Sequence, residues 1–131
     1  LVSRLVAALV FDSSGASASL DMVPARSASV AATRQLLYQA EPFDIDLLIS
    51  GDPGVASVSV TGQVLASDVD AFEGVSGLKV EVDRDGRTVA TSETSEFGEF
   101  SLAGVAPGMY TVRLESRSRE IILSSVTISL E

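Results

Sequence analysis

The sequence predicts an all-β protein, an antiparallel Greek-key β-sandwich with extra strands at its N-terminus. Three observations predict it. Apolar and polar residues alternate over short runs such as "FDIDLLIS" and "LKVEVDR", the period of a half-buried strand. Turn residues separate the runs at short intervals, at Asp85-Gly86, Gly98 and Pro107-Gly108. No window of helical length keeps an i, i+3, i+4 apolar stripe between caps, and "ASVAATRQLLY" comes nearest.

"LVAALVF", Leu5 to Phe11, is apolar on both faces and reads as a buried strand. Ser13 to Thr33 is rich in Ala and Ser. It reads as a long, partly regular connection with one short strand candidate, Ser19 to Val23, ended by Pro24. "RQLLYQA", "EP" and "FDIDLLIS" read as strand, turn and strand. In the last, Phe43, Ile45, Leu47 and Ile49 share one face while Asp44 and Asp46 point to water. "GDPGV" closes it through Pro53 and Gly54. In "SVSVTGQVLA", Val58, Val60, Val64 and Ala66 face inward, and Gly62 on that face suggests a bulge or a close crossing.

"DVDAFEGVSG" reads as a polar loop. "LKVEVDRDGRTVATSE" is a hairpin with Leu78, Val80 and Val82 inward and Lys79, Glu81 and Asp83 outward. Its Asp85-Gly86 pair suits a turn whose central residues both need positive φ. "TSETSEFGEFSLAGVAPGMYTV", Thr91 to Val112, has the grammar of further hairpins. Gly98 turns the chain, Phe100 and Leu102 enter the core, and Pro107-Gly108 turns it again. Tyr110, Val112 and Leu114 then run inward with Thr111, Arg113 and Glu115 outside. Two runs, Glu120 to Leu123 and Val126 to Leu130, complete a sheet.

Composition bounds the function. At 131 residues the chain is one domain, or one domain with an ordered extension, and is long enough to hold a core without disulfide or metal. The division expected is an N-terminal β extension over residues 1–54 and a sandwich domain over 55–131. The chain is 46% hydrophobic, yet no run approaches the ~18 apolar residues of a membrane span. "LVAALVF" has no small-residue cleavage site behind it and does not read as a signal peptide. The chain opens on Leu1 rather than Met, as a piece of something longer would. The compartment expected is the cytoplasm, or outside it should the chain belong to a longer secreted or anchored protein. A formal net charge of −9 repels phosphate backbones and anionic lipid, so neither nucleic acid nor membrane is expected as a partner.

The segment from Val58 to Leu130 resembles the carboxypeptidase regulatory-like domains, which share a transthyretin-like (prealbumin-like) sandwich. The resemblance is carried by "VTGQVL", "GVSGLKVEV" and "TSETSEFGEFSLAGVAPGMYTVRLE". The chain departs from that pattern in having Ser95 where Asp is common and Leu78-Lys79 where a small residue is usual. The N-terminal region, with "LVFDS" and "RQLLYQAEPFDIDLLI", resembles uncharacterised bacterial modules from regulatory loci. That resemblance implies a regulatory protein partner of the sigma-factor, anti-sigma or caspase-like kind.

Some relatives of this sandwich are enzymes, and the residues present bear on each of their chemistries. The chain has no His, Cys, Trp or Asn and a single lysine, Lys79. Without His, a hydroxyisourate hydrolase-type site, an intradiol-type iron site and a Ser-His-Asp triad all fail. Without Cys, thiol catalysis and thiolate metal sites fail. A Ser-Lys pair or a Lys–Asp isopeptide bond would need Lys79, which the alternation turns to solvent. Asp68, Asp70 and Glu73, and Asp83 with Asp85, have the flavour of calcium loops. Lys79 and Thr94 stand where the closing Glu of a twelve-residue loop belongs, so both sets read as solvated turn acids. Sugar chemistry lacks its stacking aromatics, because Tyr38 and Tyr110 lie on strands and read as core.

The expectation is therefore a non-enzymatic protein-binding module without cofactor or metal, an accessory or regulatory component of a bacterial signalling complex. Its alternative is a structural spacer domain of a longer surface or envelope protein. Phe72 in its acidic loop, Val105 between Gly104 and Pro107, and Met109 on an outward face are the candidate contact residues. The bland alternative tucks each beneath its own loop.

Overall fold

Ten strands carry the fold in a computed structural model that describes residues 3–13, 32–52 and 55–130. In chain order they are β1 (Ser3–Val6), β2 (Ala8–Asp12), β3 (Ala32–Ala40), β4 (Phe43–Gly51), β5 (Val58–Ala66), β6 (Lys79–Arg84), β7 (Arg87–Glu93), β8 (Glu99–Val105), β9 (Gly108–Glu115) and β10 (Arg119–Ile128). Two five-stranded sheets face each other, ordered β1-β10-β9-β6-β7 and β2-β3-β4-β5-β8. Every pairing is antiparallel except that of β1 with β10. The chain is thus an all-β sandwich, as its alternation predicts.

Period-two patterning explains the faces. Phe43, Ile45, Leu47 and Ile49 of β4 and Val80 and Val82 of β6 are buried, as are Tyr110, Val112 and Leu114 of β9. Their polar neighbours line the outer surfaces. Asp85 and Gly86 take φ of 53° and 79°, closing the β6–β7 hairpin as its sequence requires. Gly62 is a close crossing rather than a bulge: a Cβ there would lie 2.1 Å from the Phe100 ring, its cross-strand partner on β8. The bulge of this pair falls one turn of the pleat earlier, between Val58 and Val60.

The N-terminal run is not a buried strand. It splits at buried Ala7, whose N–H donates to Ile122 O at 2.8 Å. β1 then flanks β10 in the first sheet and β2 flanks β3 in the second. Both halves are edge strands, so one flank stays open and Val6, Leu9, Val10 and Phe11 are exposed. A run apolar on both faces here serves two sheets in turn. β2 is held by Arg34 of β3, which is buried and donates to both Asp12 carboxylate oxygens at 2.9 and 2.6 Å. The same guanidinium reaches Ser129 O at 3.3 Å, just past β10.

Thr91 to Val112 contains no hairpin, despite its turns. β7 lies in the first sheet, β8 in the second and β9 in the first again. Gly98 and Pro107-Gly108 reverse the chain while passing it across the core. β8 then pairs with β5, and β9 pairs with β6 and β10. Glu120 to Leu123 and Val126 to Leu130 form one strand through most of their length. A bulge between Leu123 and Val126, with Ser125 at φ 54°, shifts the inward parity. The "DVDAFEGVSG" loop holds a 3-10 helix over Val69–Val75, started by Asp68, whose side chain accepts from Asp70 N at 2.9 Å. It is too short to show an apolar stripe in sequence. Ser19 to Val23, Pro24, Pro53 and Gly54 lie outside the described residues.

Candidate docking surface

The sequence-chosen contact residues do not form one patch. Phe72 is 59% exposed on the 3-10 helix, before β6 begins. Met109 is also 59% exposed, but it pairs with Thr127 beyond the point where Asp83, near the end of β6, faces Thr111. The length of β6 therefore separates them, on the order of 15–20 Å at the rise of a strand. Val105 is not a loop residue. It ends β8, pairs with Val58 and is 5% exposed, so it belongs to the core.

Phe72 has different company. Its end of the sandwich gathers the 3-10 helix, the close of β5, the β3–β4 turn and the β7–β8 connection. Ser67 N donates to Pro42 O at 2.8 Å, and Val64 N donates to Gly98 O at 2.8 Å. These bonds bring Leu65, Val69, Phe72 and Phe97 to one end, and all four are exposed. Phe97 is 61% exposed at the tip of its loop.

Two local devices hold that loop. Ser95 Oγ accepts from Phe97 N at 3.1 Å and Glu99 N at 3.2 Å, while Ser95 N donates to Glu99 O at 2.8 Å. Ser95 thus fills the turn-capping role open to the Asp more common there, since both side chains offer a short acceptor oxygen. Thr94 ties this loop to the helix. Its buried hydroxyl donates to Val75 O and accepts from Leu78 N, both at 2.7 Å. Its backbone accepts from Gly77 N and donates to Leu78 O.

Thr94→Val is expected to lower stability by about 2–3 kcal/mol, because it keeps the shape and leaves Val75 O and Leu78 N unpaired in the interior. Thr94→Ser retains the hydroxyl and is expected to lose under about 1 kcal/mol. Urea unfolding midpoints of the three proteins decide it.

Phe97, Val69 and Leu65 escape the contact residues chosen from sequence. A signal existed for Phe97: Phe100 and Leu102 define the inward register of β8, and Phe97 precedes Gly98 at the apex, outside that register. Leu65 was signalled as well, because the alternation that turns Val64 and Ala66 inward turns it outward. Val69 carried none, since burial of a loop residue depends on what packs across it.

The outer face of the first sheet is charged. Arg113 is the hub, with Nε 2.7 Å from Asp83, Nη2 2.8 Å from Glu81, and Nη1 3.8 Å from Glu120. Glu120 also receives Arg4 at 3.0 Å, and Lys79 sits 3.4 Å from Glu81. The hydrogen bond from Arg113 holds Asp83 below the usual carboxylate range. Burial, then the facing Glu81, pushes the Glu115 carboxyl above it.

The two shifts act oppositely. Asp83 contributes stability above its unfolded value, lost as pH falls through its depressed folded value. Glu115 binds its proton more readily when folded, so its contribution is present in acid and lost as pH rises through its raised value. Glu115→Gln is therefore expected to be more stable than the parent at pH 7. The difference should shrink towards pH 4.5, Glu115's ordinary value. Unfolding midpoints at both pH values check this.

A groove of about 490 Å³ runs between β7 and β8, lined by Thr61, Ser92, Thr94, Ser95 and Ser101 with Glu93 and Glu99. Among the described residues no group of three or more acidic side chains is placed to hold a metal ion. Tyr38 and Tyr110 are buried, and Tyr110 Oη donates back to Ala106 O, four residues upstream, in the manner of a tyrosine corner. No helix among the described residues is long and apolar enough to cross a membrane.

These features define a β-sandwich domain of the transthyretin and carboxypeptidase-regulatory type, Ig-like in build. The family described as "BOS complex subunit NOMO1-like, second beta sandwich domain" matches residues 57–131, more than half the chain, and the chain belongs to it. The match spans β5 to β10, the same stretch that resembles the carboxypeptidase regulatory-like domains. It does not reach β1 to β4, and the resemblance of that region to regulatory-locus proteins is without support. No curated protein and no solved structure matches the chain.

Proposed function

We propose that the domain is a non-catalytic docking domain that binds another protein through the end bearing Phe72 and Phe97. The observation that carries this is the display of Val69, Phe72 and Phe97 on two loops that Thr94 locks together, with exposed Leu65 near the end of β5 at the same end. A rigid apolar tip contributes binding energy without the entropy of ordering a loop on contact. The family's description as a domain of a complex subunit supports a protein partner. It offers nothing towards a sigma-factor, anti-sigma or caspase-like partner, or towards one compartment over another.

The test is capture of partners from the native host by the tagged chain and by a Phe72→Asp, Phe97→Asp variant checked for an unchanged unfolding midpoint. A stoichiometric protein held by the parent and missing from the variant supports the proposal. The same proteins in both lanes sink it. The second reading is a spacer between neighbouring domains, favoured by the word "second" in the family's description. It predicts that the variant changes nothing.

A further inference from the structure

Carboxylates surround the apolar tip. Asp68, Asp70 and Glu73 flank Val69 and Phe72 on the helix, and Glu96 precedes Phe97. Glu41 stands in the β3–β4 turn, whose Pro42 O receives both Ser67 N and Ser67 Oγ. The cations of this end are fewer. Arg119, beside Gly74 of the helix, lies over the Phe43 ring at 4.8 Å, and Arg117 stands in the β9–β10 turn, while Lys79 and Arg4 are paired with Glu81 and Glu120 at 3.4 and 3.0 Å. The exposed apolar residues thus sit in a field of negative sign, on a chain whose formal net charge is −9.

That sign selects the occupant. A second copy of the chain would bring like charge against like charge, and nucleic acid or anionic lipid would be repelled in the same way. An uncharged apolar surface would leave the ring of carboxylates without partners. We infer that this end receives a cationic segment of a partner protein, one that carries Lys or Arg beside large apolar side chains. The apolar groups cover Phe72 and Phe97, and the cations meet Asp70, Glu73 and Glu96. The inference rests on the docking reading above and adds the chemistry of the partner.

The experiment is fluorescence anisotropy with three labelled octapeptides, alternating Arg and Leu, Arg and Ser, and Glu and Leu. The Arg-Leu peptide is expected to bind about tenfold or more tightly than either control. A Phe72→Ser, Phe97→Ser variant is expected to lose that advantage. Asp70→Asn, Glu73→Gln, Glu96→Gln is expected to flatten its salt dependence. An Asp83→Asn, Asp85→Asn variant at the β6–β7 hairpin, the opposite end of β6, should bind as the parent does.

Equal binding of the Glu-Leu peptide overturns the inference. So does loss of binding through the Asp83 and Asp85 variant, which would mark unselective attraction of a polycation. If the Phe72 and Phe97 variant still loses its captured cellular partner while no basic peptide is preferred, the docking reading stands and the cationic partner falls. If capture is unaffected and the peptide binds elsewhere, both fall.

Discussion

A chain that begins at Val55 is expected not to fold. Residues 1–54 supply Leu36, Tyr38, Ala40, Phe43, Ile45, Leu47 and Ile49 to the core. At about 1.5–3 kcal/mol for each large apolar side chain, their loss exceeds about 10 kcal/mol, comparable with the whole stability of a domain. The second sheet would shrink to β5 and β8, too few strands to cover the first. β4 pairs with β5 along nearly its whole length, from Phe43 opposite Ala66 to Ser50 opposite Ser59, and that edge would open. Circular dichroism melts of the full chain and the 55–131 fragment decide the matter. A cooperative melt of the fragment would mean that the matched segment is a domain in its own right.

A large single-residue effect is expected at Gly98. Its φ of +82° costs an L-residue about 1–2 kcal/mol. A Cβ there would lie 2.3 Å from the Val64 carbonyl oxygen and 3.1 Å from Val75 Cβ. The backbone can give way only by breaking the Val64 N–H to Gly98 O bond of 2.8 Å. Gly98→Ala is therefore expected to lose about 3–5 kcal/mol, combining backbone strain with overpacking. Gly86→Ala is the control, because Gly86 also has positive φ, 79°, with nothing within 4 Å of its Cβ position. It is expected to lose about 1 kcal/mol. Equal losses at the two positions would show that conformation alone matters and that the contact with Val64 does not.

Much of the architecture was legible. The inward faces of β4, β6 and β9 follow from alternation alone, because a strand's period of two admits one register once one face is apolar. The Asp85-Gly86 turn is legible because few other pairs accept positive φ twice. The β7–β8–β9 region was legible as strands and turns but not as pairings. The 3-10 helix was hidden for want of length. Met109 was legible as outward and Phe72 only as a loop residue; both are exposed, yet nothing in their spacing told that β6 runs between them.

Local rules reached the faces of the strands, the positions where the chain reverses, and the chemistry excluded by the absence of His and Cys. Each depends only on a residue and its near neighbours. Which sheet each strand joins, and therefore that Phe72 and Phe97 share one end of the molecule, was decided by long-range packing. A turn sets that the chain comes back but not the layer it returns to. Burying both inner faces at once selects the layer. The same packing left the N-terminal apolar run at two open edges, with Ala7 alone deeply buried where it passes between them.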